Sequence, residues 1–298
     1  MQAATGTSYA HPAEHVLRPS EQELLDAWRE LVEANAAQVA RLRETKAPED
    51  FWGEGYSGSI VSLEHPAPQC RLLAALARPE DTWLDIGAGF GGSMLPVANS
   101  VTRVTALDPS PGMVEKLRRN ISLLGIVNVD VLEPMEWPPD TPLEPHDVCL
   151  AAAVIDVVAD IGGFLDAMEQ HARRLCVALV AELGTGFTPN ETFFEALHGE
   201  QYIRPPALRE FLALLASRRR RFDIQTYPLI WPPEDLETAL AERGRKSYLL
   251  QEGSEKEARL RQLLVDHYGI GDGWVHLPHP PAGTFAAIVS WEPPGLPS

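Results

Sequence analysis

The sequence predicts an α/β protein built on a seven-stranded, mostly parallel sheet with helices on both faces. Three observations predict it. Between residues 70 and 183, apolar runs of strand length alternate regularly with helix-length segments, the pattern that lays helices over a parallel sheet. The first of these runs ends in Asp85-Ile86-Gly87-Ala88-Gly89-Phe90-Gly91-Gly92, where glycines allow a tight turn and a close approach of backbone to a ligand. The second ends in Asp108, so that strand, glycine loop, helix, strand and acid form one complete βαβ unit.

The elements follow in order. Residues 1–18 are polar and irregular. Pro19-Ser20-Glu21-Gln22-Glu23 then opens a helix, with Ser20 as N-cap and Glu23 at the capping-box position, and Leu24, Leu25, Trp28, Leu31, Val32 and Val39 give it one apolar face as far as Leu42. The run Trp52-Gly53-Glu54-Gly55-Tyr56-Ser57-Gly58-Ser59 is too glycine-rich for a stable helix and too aromatic for a free linker, and reads as a segment closing over a pocket. A helix over 68–77 leads into the first strand, 82–86, and another helix follows Gly92. The second strand is 101–107, and Pro109-Ser110-Pro111-Gly112-Met113 opens a helix to Leu124. The third and fourth strands are 127–132 and 147–152, a helix spans 161–174, and the fifth strand is 176–182. Residues 184–217 break the alternation: Phe187, Phe193 and Phe194 precede His198-Gly199-Glu200-Gln201-Tyr202, and Pro205-Pro206 introduces a leucine-rich helix. A sixth strand over 222–230, helices over 233–243 and 254–268, a Gly-Asp-Gly turn at 271–273 and an apolar seventh strand over 283–291 complete the chain. The expected organisation is an N-terminal helical cap and closing segment (1–69), a ligand-binding core (70–183), an inserted helical cap or lid (184–217) and completion of the core sheet (218–298).

Composition narrows the function. With 298 residues, 45% of them hydrophobic, the chain can bury a large core. A formal net charge of −17 repels phosphate backbones and anionic lipid, which argues against nucleic-acid and membrane partners. The one basic run, Arg218-Arg219-Arg220-Arg221, sits where a helix pattern ends and reads as C-terminal capping. Cys70, Cys149 and Cys176 are widely separated and read as buried thiols, implying a reducing cytoplasm. His11 with His15, and His276 with His279, lie in polar or proline-rich stretches with no helix to align them, so no metal is expected. No apolar run approaches the roughly 20 residues of a membrane span, and the N-terminus has no signal pattern. A homodimer is open.

The glycine spacing alone is ambiguous, because Gly87, Gly89 and Gly92 also satisfy the dinucleotide fingerprint G-x-G-x-x-G. Asp108 serves a ribose-bearing ligand in either case. Asp85, two residues before the first glycine, tips the balance: beside the loop it would repel a pyrophosphate and attract an ammonium. With Asp108, this arrangement resembles the first two motifs of the class I S-adenosylmethionine-dependent methyltransferases. The resemblance covers 70–183 through motifs and 218–292 through element order only.

What the resemblance implies is a Rossmann-like sheet whose last strand is antiparallel, and S-adenosylmethionine as cofactor, with Asp85 at its methionine end. It carries cofactor contacts onto Asp85, Gly87, Ala88, Gly89, Asp108, Pro109, Met113 and Ala151, the last beside small residues that leave room for the sulfonium and the acceptor. A side chain at Gly87 would occupy the ligand's place. Glu133-Pro134-Met135-Glu136-Trp137 departs from the family's Gly-Asp-Ala; there Glu133 replaces the aspartate and Met135 offers its backbone N–H and side chain to the adenine, against the plainer reading of an exposed loop carboxylate. Tyr56 reads either as a ring stacked on the ligand with its hydroxyl on the methionine carboxylate, or as an interface aromatic. Asn-Pro-Pro-Tyr, the mark of nucleic-acid base methyltransferases, is absent after the fourth strand, which leaves a small-molecule acceptor and in-line methyl transfer. His65, Asp156, Glu182 and His198 are general-base candidates by position, each with an ordinary structural reading, and no catalytic residue is assigned. Tyr227 and Trp231 line an acceptor pocket or belong to the core. Two other classes stay in view: a nicotinamide-dependent oxidoreductase, one common form of which needs a Tyr-x-x-x-Lys that the chain lacks, and a non-catalytic nucleoside-binding regulatory module.

Overall fold

The structure is a computed structural model and describes residues 18–47, 49–55, 61–182, 191–229, 234–241, 247–268, 270–271, 274–275 and 285–295. Tyr56, Phe187, Trp231 and the histidines at 11, 15, 276 and 279 lie outside the described residues.

The chain opens with α1 (Glu21–Leu42), started by the expected capping box: the Ser20 hydroxyl accepts from the Glu23 N–H at 3.3 Å, and the Glu23 carboxylate accepts from the Ser20 N–H at 2.7 Å. A short α2 (Phe51–Gly55) and α3 (Pro68–Leu76) precede β1 (Thr82–Ile86). Then come α4 (Leu95–Ala98), β2 (Arg103–Leu107), α5 (Pro111–Leu124), β3 (Val129–Val131), β4 (His146–Ala152), a 3₁₀ turn (Ile155–Val157), α6 (Ile161–His171) and β5 (Ala172–Ala181). The remainder is α7 (Glu191–His198), α8 (Leu208–Ser217), β6 (Phe222–Pro228), β7 (Glu234–Asp235), α9 (Leu236–Ala239), α10 (Glu255–Tyr268), β8 (Ile270–Gly271), β9 (Trp274–Val275) and β10 (Phe285–Trp291).

Seven strands form one sheet in the order β3-β2-β1-β4-β5-β10-β6. All pair in parallel except β10, which runs antiparallel to both β5 and β6. Successive strand residues point to opposite faces, and the core divides accordingly. Leu84, Ile86, Cys149, Cys176, Val289 and Trp291 face Trp28 of α1, Phe164 and Met168 of α6, and Phe211 and Leu215 of α8. Trp83, Val104, Val148, Leu150 and Ile288 face Leu73 of α3, Leu95 and Val97 of α4, and Leu117 of α5.

Four local expectations are corrected. The segment from Phe51 is helical as far as Gly55 despite its glycines, because Asp50 accepts the Gly53 N–H at 2.8 Å and caps the first turn. The helix after Gly92 is a single turn, since Pro96 lacks a donor near its start and Asn99 ends it. The helix over 161–174 stops at His171: Arg174 instead joins β5, where its guanidinium pairs with the buried Asp81 carboxylate and donates to the Leu76 carbonyl at 3.1 Å. The leucine-rich helix after Pro205-Pro206, α8, packs on the core sheet, whereas Phe193, Phe194 and Leu197 of α7 pack with Leu240, Tyr248, Leu250, Leu260 and Leu264 in a separate apolar cluster. Two of the four arginines of the basic run face inward, whereas Arg219 and Arg221 are exposed. Arg218 ends α8 and lies 2.8 Å from Asp166 and 2.9 Å from Glu21, while Arg220 grips Glu169 in bidentate fashion at 2.7 and 2.8 Å.

Candidate functional site

Parallel strands deliver their carboxyl ends to one edge, and the strand order reverses at β1, which has β2 on one side and β4 on the other. Crevices at such a switch point are where open α/β sheets bind ligands. The glycine loop leaves β1 there. Gly87 and Gly89 hold φ of +68° and +54°, a region that side-chain-bearing residues rarely adopt. The loop is pinned from both sides: the Ala88 N–H donates to the Leu107 carbonyl at 2.9 Å, and the Asn120 amide donates to the Phe90 carbonyl at 2.9 Å.

Two carboxylates meet at this edge. Asp108 is buried and accepts the Gly89 N–H on Oδ2 at 2.8 Å and the Ser110 N–H on Oδ1 at 2.9 Å. Each oxygen keeps a further lone pair for an incoming donor. Burial raises the Asp108 pKa above the ordinary carboxylate range, and the charges of Asp50 and Glu136 push the same way against those two backbone bonds. Asp85 is only 2% exposed, and its Oδ1 has no hydrogen-bond partner. Burial, with the Asp108 charge adding to it, pushes the Asp85 carboxyl up to about 7. A buried carboxyl oxygen with no partner carries a desolvation cost that a ligand cation would relieve. Beside the loop, Ala153 holds φ +58° just past the end of β4, its N–H donating to the Leu179 carbonyl at 3.0 Å. A non-glycine residue kept in that region marks a locally strained turn beside the loop.

Among the sequence-derived residues, Asp85, Gly87, Ala88, Gly89, Asp108 and Pro109 come together on this edge. Ala151 is buried within β4, and Met113 is buried in the first turn of α5, its N–H donating to the Ser110 hydroxyl at 3.0 Å. The Met135 N–H already donates to the Asp108 carbonyl at 3.2 Å, so it is not available to an adenine; the loop after β3 is tied to the end of β2 instead. The Glu133 side chain, 82% exposed, pairs with Arg118 at 2.6 Å. A Cβ at Gly87 would lie 2.6 Å from Val154 Cγ2 and collide within the protein, whereas one at Gly89 meets nothing within 4 Å. Gly89→Val is expected to cost about 1–2 kcal/mol of stability for its φ and to abolish ligand binding; ordinary binding in a titration of that variant would show that the space beside Gly89 faces only solvent.

The base candidates separate. His198 lies in the α7 cluster, its Nε2 2.9 Å from the Tyr248 carbonyl and its ring against Phe194, and His65 is exposed. Asp156 is buried in the turn after β4, and Glu182 is half-buried at the end of β5, both on the carboxyl edge of the sheet. Tyr227 is buried in the core. Sequence reasoning missed Asp50, which accepts from the Ser110 hydroxyl at 2.6 Å and from the Gly112 N–H at 2.8 Å, and so touches the loop that carries Asp108. Its spacing to Gly53 carried an N-cap signal, but nothing local pointed to residues 60 positions away.

Cys70, Cys149 and Cys176 are free and buried. Among the described residues, no group of three His, Cys, Asp or Glu could hold a metal ion, and no helix is long and apolar enough to cross a membrane.

Comparison with known proteins places the fold. Residues 84–176 match the family described as "Methyltransferase domain". The chain is similar to a ubiquinone biosynthesis O-methyltransferase of Methylocella silvestris, 33% identical over 128 residues, covering 40% of this chain and 45% of that protein. It is also similar to the aklanonic acid methyltransferase DauC of a Streptomyces species, 26% identical over 141 residues, covering 44% and 64%. The matches therefore span less than two thirds of either relative. Among solved structures, the YcgJ protein of Bacillus subtilis shares the fold with a TM-score of 0.51 at 14% identity, over 76% of this chain and 99% of that one.

Proposed function

We propose that this chain, which carries a class I S-adenosylmethionine-dependent methyltransferase domain, binds S-adenosylmethionine at the carboxyl edge of β1 and β2 and transfers its methyl group to a small-molecule acceptor. The observation that carries the reading is the pair of buried carboxylates flanking the glycine loop. Asp85 offers an unpartnered oxygen where an ammonium would be held, and Asp108 offers two oriented oxygens to a ribose diol. A pyrophosphate finds the opposite: two carboxyls at the loop that should cradle it.

When bound, S-adenosylmethionine supplies a methyl group on a positively charged sulfur, open to in-line displacement by an acceptor lone pair. The residues present act on position and solvent. Asp85 and Asp108 would hold the two ends of the ligand, the Gly87–Gly89 backbone would let it lie against the loop, and Val154, just past β4, stands beside Gly87. A hydroxyl or protonated amine on the acceptor must lose a proton, and of the candidates by position Asp156 and Glu182 stand on the correct edge of the sheet. The net charge of −17 and the methyltransferase relatives support a small-molecule acceptor over a nucleic acid.

Calorimetric titration with S-adenosylmethionine, S-adenosylhomocysteine and NADH in parallel tests this. Micromolar binding of the two adenosyl ligands without NADH is expected, whereas binding of NADH alone would replace the reading with an oxidoreductase.

A further inference from the structure

The Asp50 carboxylate is the meeting point of three elements. Oδ1 accepts from the Gly53 N–H at 2.8 Å and from the Ser110 hydroxyl at 2.6 Å, and Oδ2 accepts from the Gly112 N–H at 2.8 Å. It therefore caps α2 and α5 together. The direction of each bond is settled by chemistry: Ser110 has one hydroxyl proton, which goes to Asp50, its oxygen accepts the Met113 N–H at 3.0 Å, and its own N–H goes to Asp108 at 2.9 Å. Asp50, Ser110 and Asp108 form one relay. Two glycines let the helices touch, since a Cβ on Gly112 would sit 2.7 Å from the Gly53 Cα, and the Lys116 ammonium also bonds the Gly53 carbonyl.

This strap changes what the end of β2 can bind. The head of a helix ordinarily attracts phosphate through free N–H donors and the positive end of its dipole. Here Pro111 has no N–H, the Gly112 and Met113 N–H groups are spent on Asp50 and Ser110, and the Asp50 charge sits on the dipole's positive end. What remains are acceptors, the Asp108 oxygens. We propose that Asp50 is a positioning and specificity-determining residue of the ligand site: it orients Asp108 through Ser110 and makes the site take a free ribose diol while rejecting a phosphorylated ribose. The inference rests on the reading that a ribose sits on Asp108.

The test is competition by adenosine and by adenosine 2′-monophosphate against bound S-adenosylhomocysteine, in the wild-type protein, Asp50→Asn and Ser110→Ala. The wild-type protein should prefer adenosine at least tenfold. Asp50→Asn should weaken S-adenosylhomocysteine several-fold and lower the adenosine preference about tenfold. Ser110→Ala should weaken S-adenosylhomocysteine while keeping the preference, because the Asp50 charge stays in place. If Asp50→Asn does not fold, unchanged S-adenosylhomocysteine affinity in Ser110→Ala overturns the positioning role. A purely structural role for Asp50 would lower the melting temperature and leave the ratio between adenosine and adenosine 2′-monophosphate unchanged, and that result overturns the proposal. Wild-type protein that binds both competitors equally also overturns it, with the cofactor reading intact. Wild-type protein that binds no S-adenosylhomocysteine removes the cofactor reading, and this inference with it.

Discussion

Asp85→Asn is expected to stabilise the ligand-free protein above pH 7 by up to about 4 kcal/mol and to remove its affinity for an ammonium-bearing ligand. The Asp85 carboxyl ionises near 3.8 in the unfolded chain and is pushed up to about 7 in the folded protein, burial acting first and the Asp108 charge second. Between those values the folded state holds more protons than the unfolded state, so stability falls as pH rises through the window, by at most about 1.4 kcal/mol per pH unit. Above pH 7 the folded protein must keep a buried charge with no partner on Oδ1. Asparagine has the shape of the protonated acid and escapes that cost. Urea denaturation of both proteins at pH 5 and pH 8 checks the expectation: the two stabilities should approach each other at pH 5 and diverge at pH 8, and parallel curves would mean that Asp85 is not the group responsible.

The same linkage sets the pH dependence of binding. An ammonium favours the ionised form, so a proton leaves Asp85 when the ligand binds below pH 7. Affinity should then rise with pH, by up to about tenfold per unit, and level off near 7. A cation site at Asp85 would thus be held in a condition that costs stability until the ligand arrives, the usual trade between a binding site and the fold that carries it.

The sheet was legible because alternation of apolar strands and helical segments is a repeated, redundant signal, and the loop was legible because glycine spacing and flanking acids are local. The reversal of β10 came only through the family resemblance, since an apolar run such as Phe285–Trp291 reads the same in either direction. Tertiary competition for single groups was not legible. Arg174 abandons a helical continuation for Asp81, which lies 93 positions away. The Met135 N–H, free in any local view, is taken by the Asp108 carbonyl because two strand-end loops pack together. Asp50 shows the same limit from the other side. Its N-cap of α2 follows from spacing, but its relay to Ser110 exists only once Gly53 and Gly112 have brought two backbones into contact.

Asp108→Ala is expected to weaken binding of S-adenosylhomocysteine by about 1–3 kcal/mol, roughly 5- to 150-fold, the scale of hydrogen bonds to a charged acceptor. The loss has two parts. One is direct, since the ribose hydroxyls lose both acceptor oxygens. The other is the loop's, because the Gly89 and Ser110 N–H groups are left without their partner and the turn that carries Gly89 keeps only the Ala88 N–H bond to the Leu107 carbonyl of β2. Asparagine is not a conservative replacement, because its amide would set a donor against one of those two N–H groups. Comparing adenosine with 2′,3′-dideoxyadenosine separates the parts. Affinity for the dideoxy compound reports the loop alone, so Asp108→Ala should affect adenosine far more than its dideoxy analogue. Equal losses for the two would confine Asp108 to holding the loop, and unchanged affinity for S-adenosylhomocysteine would remove Asp108 from the ligand site altogether.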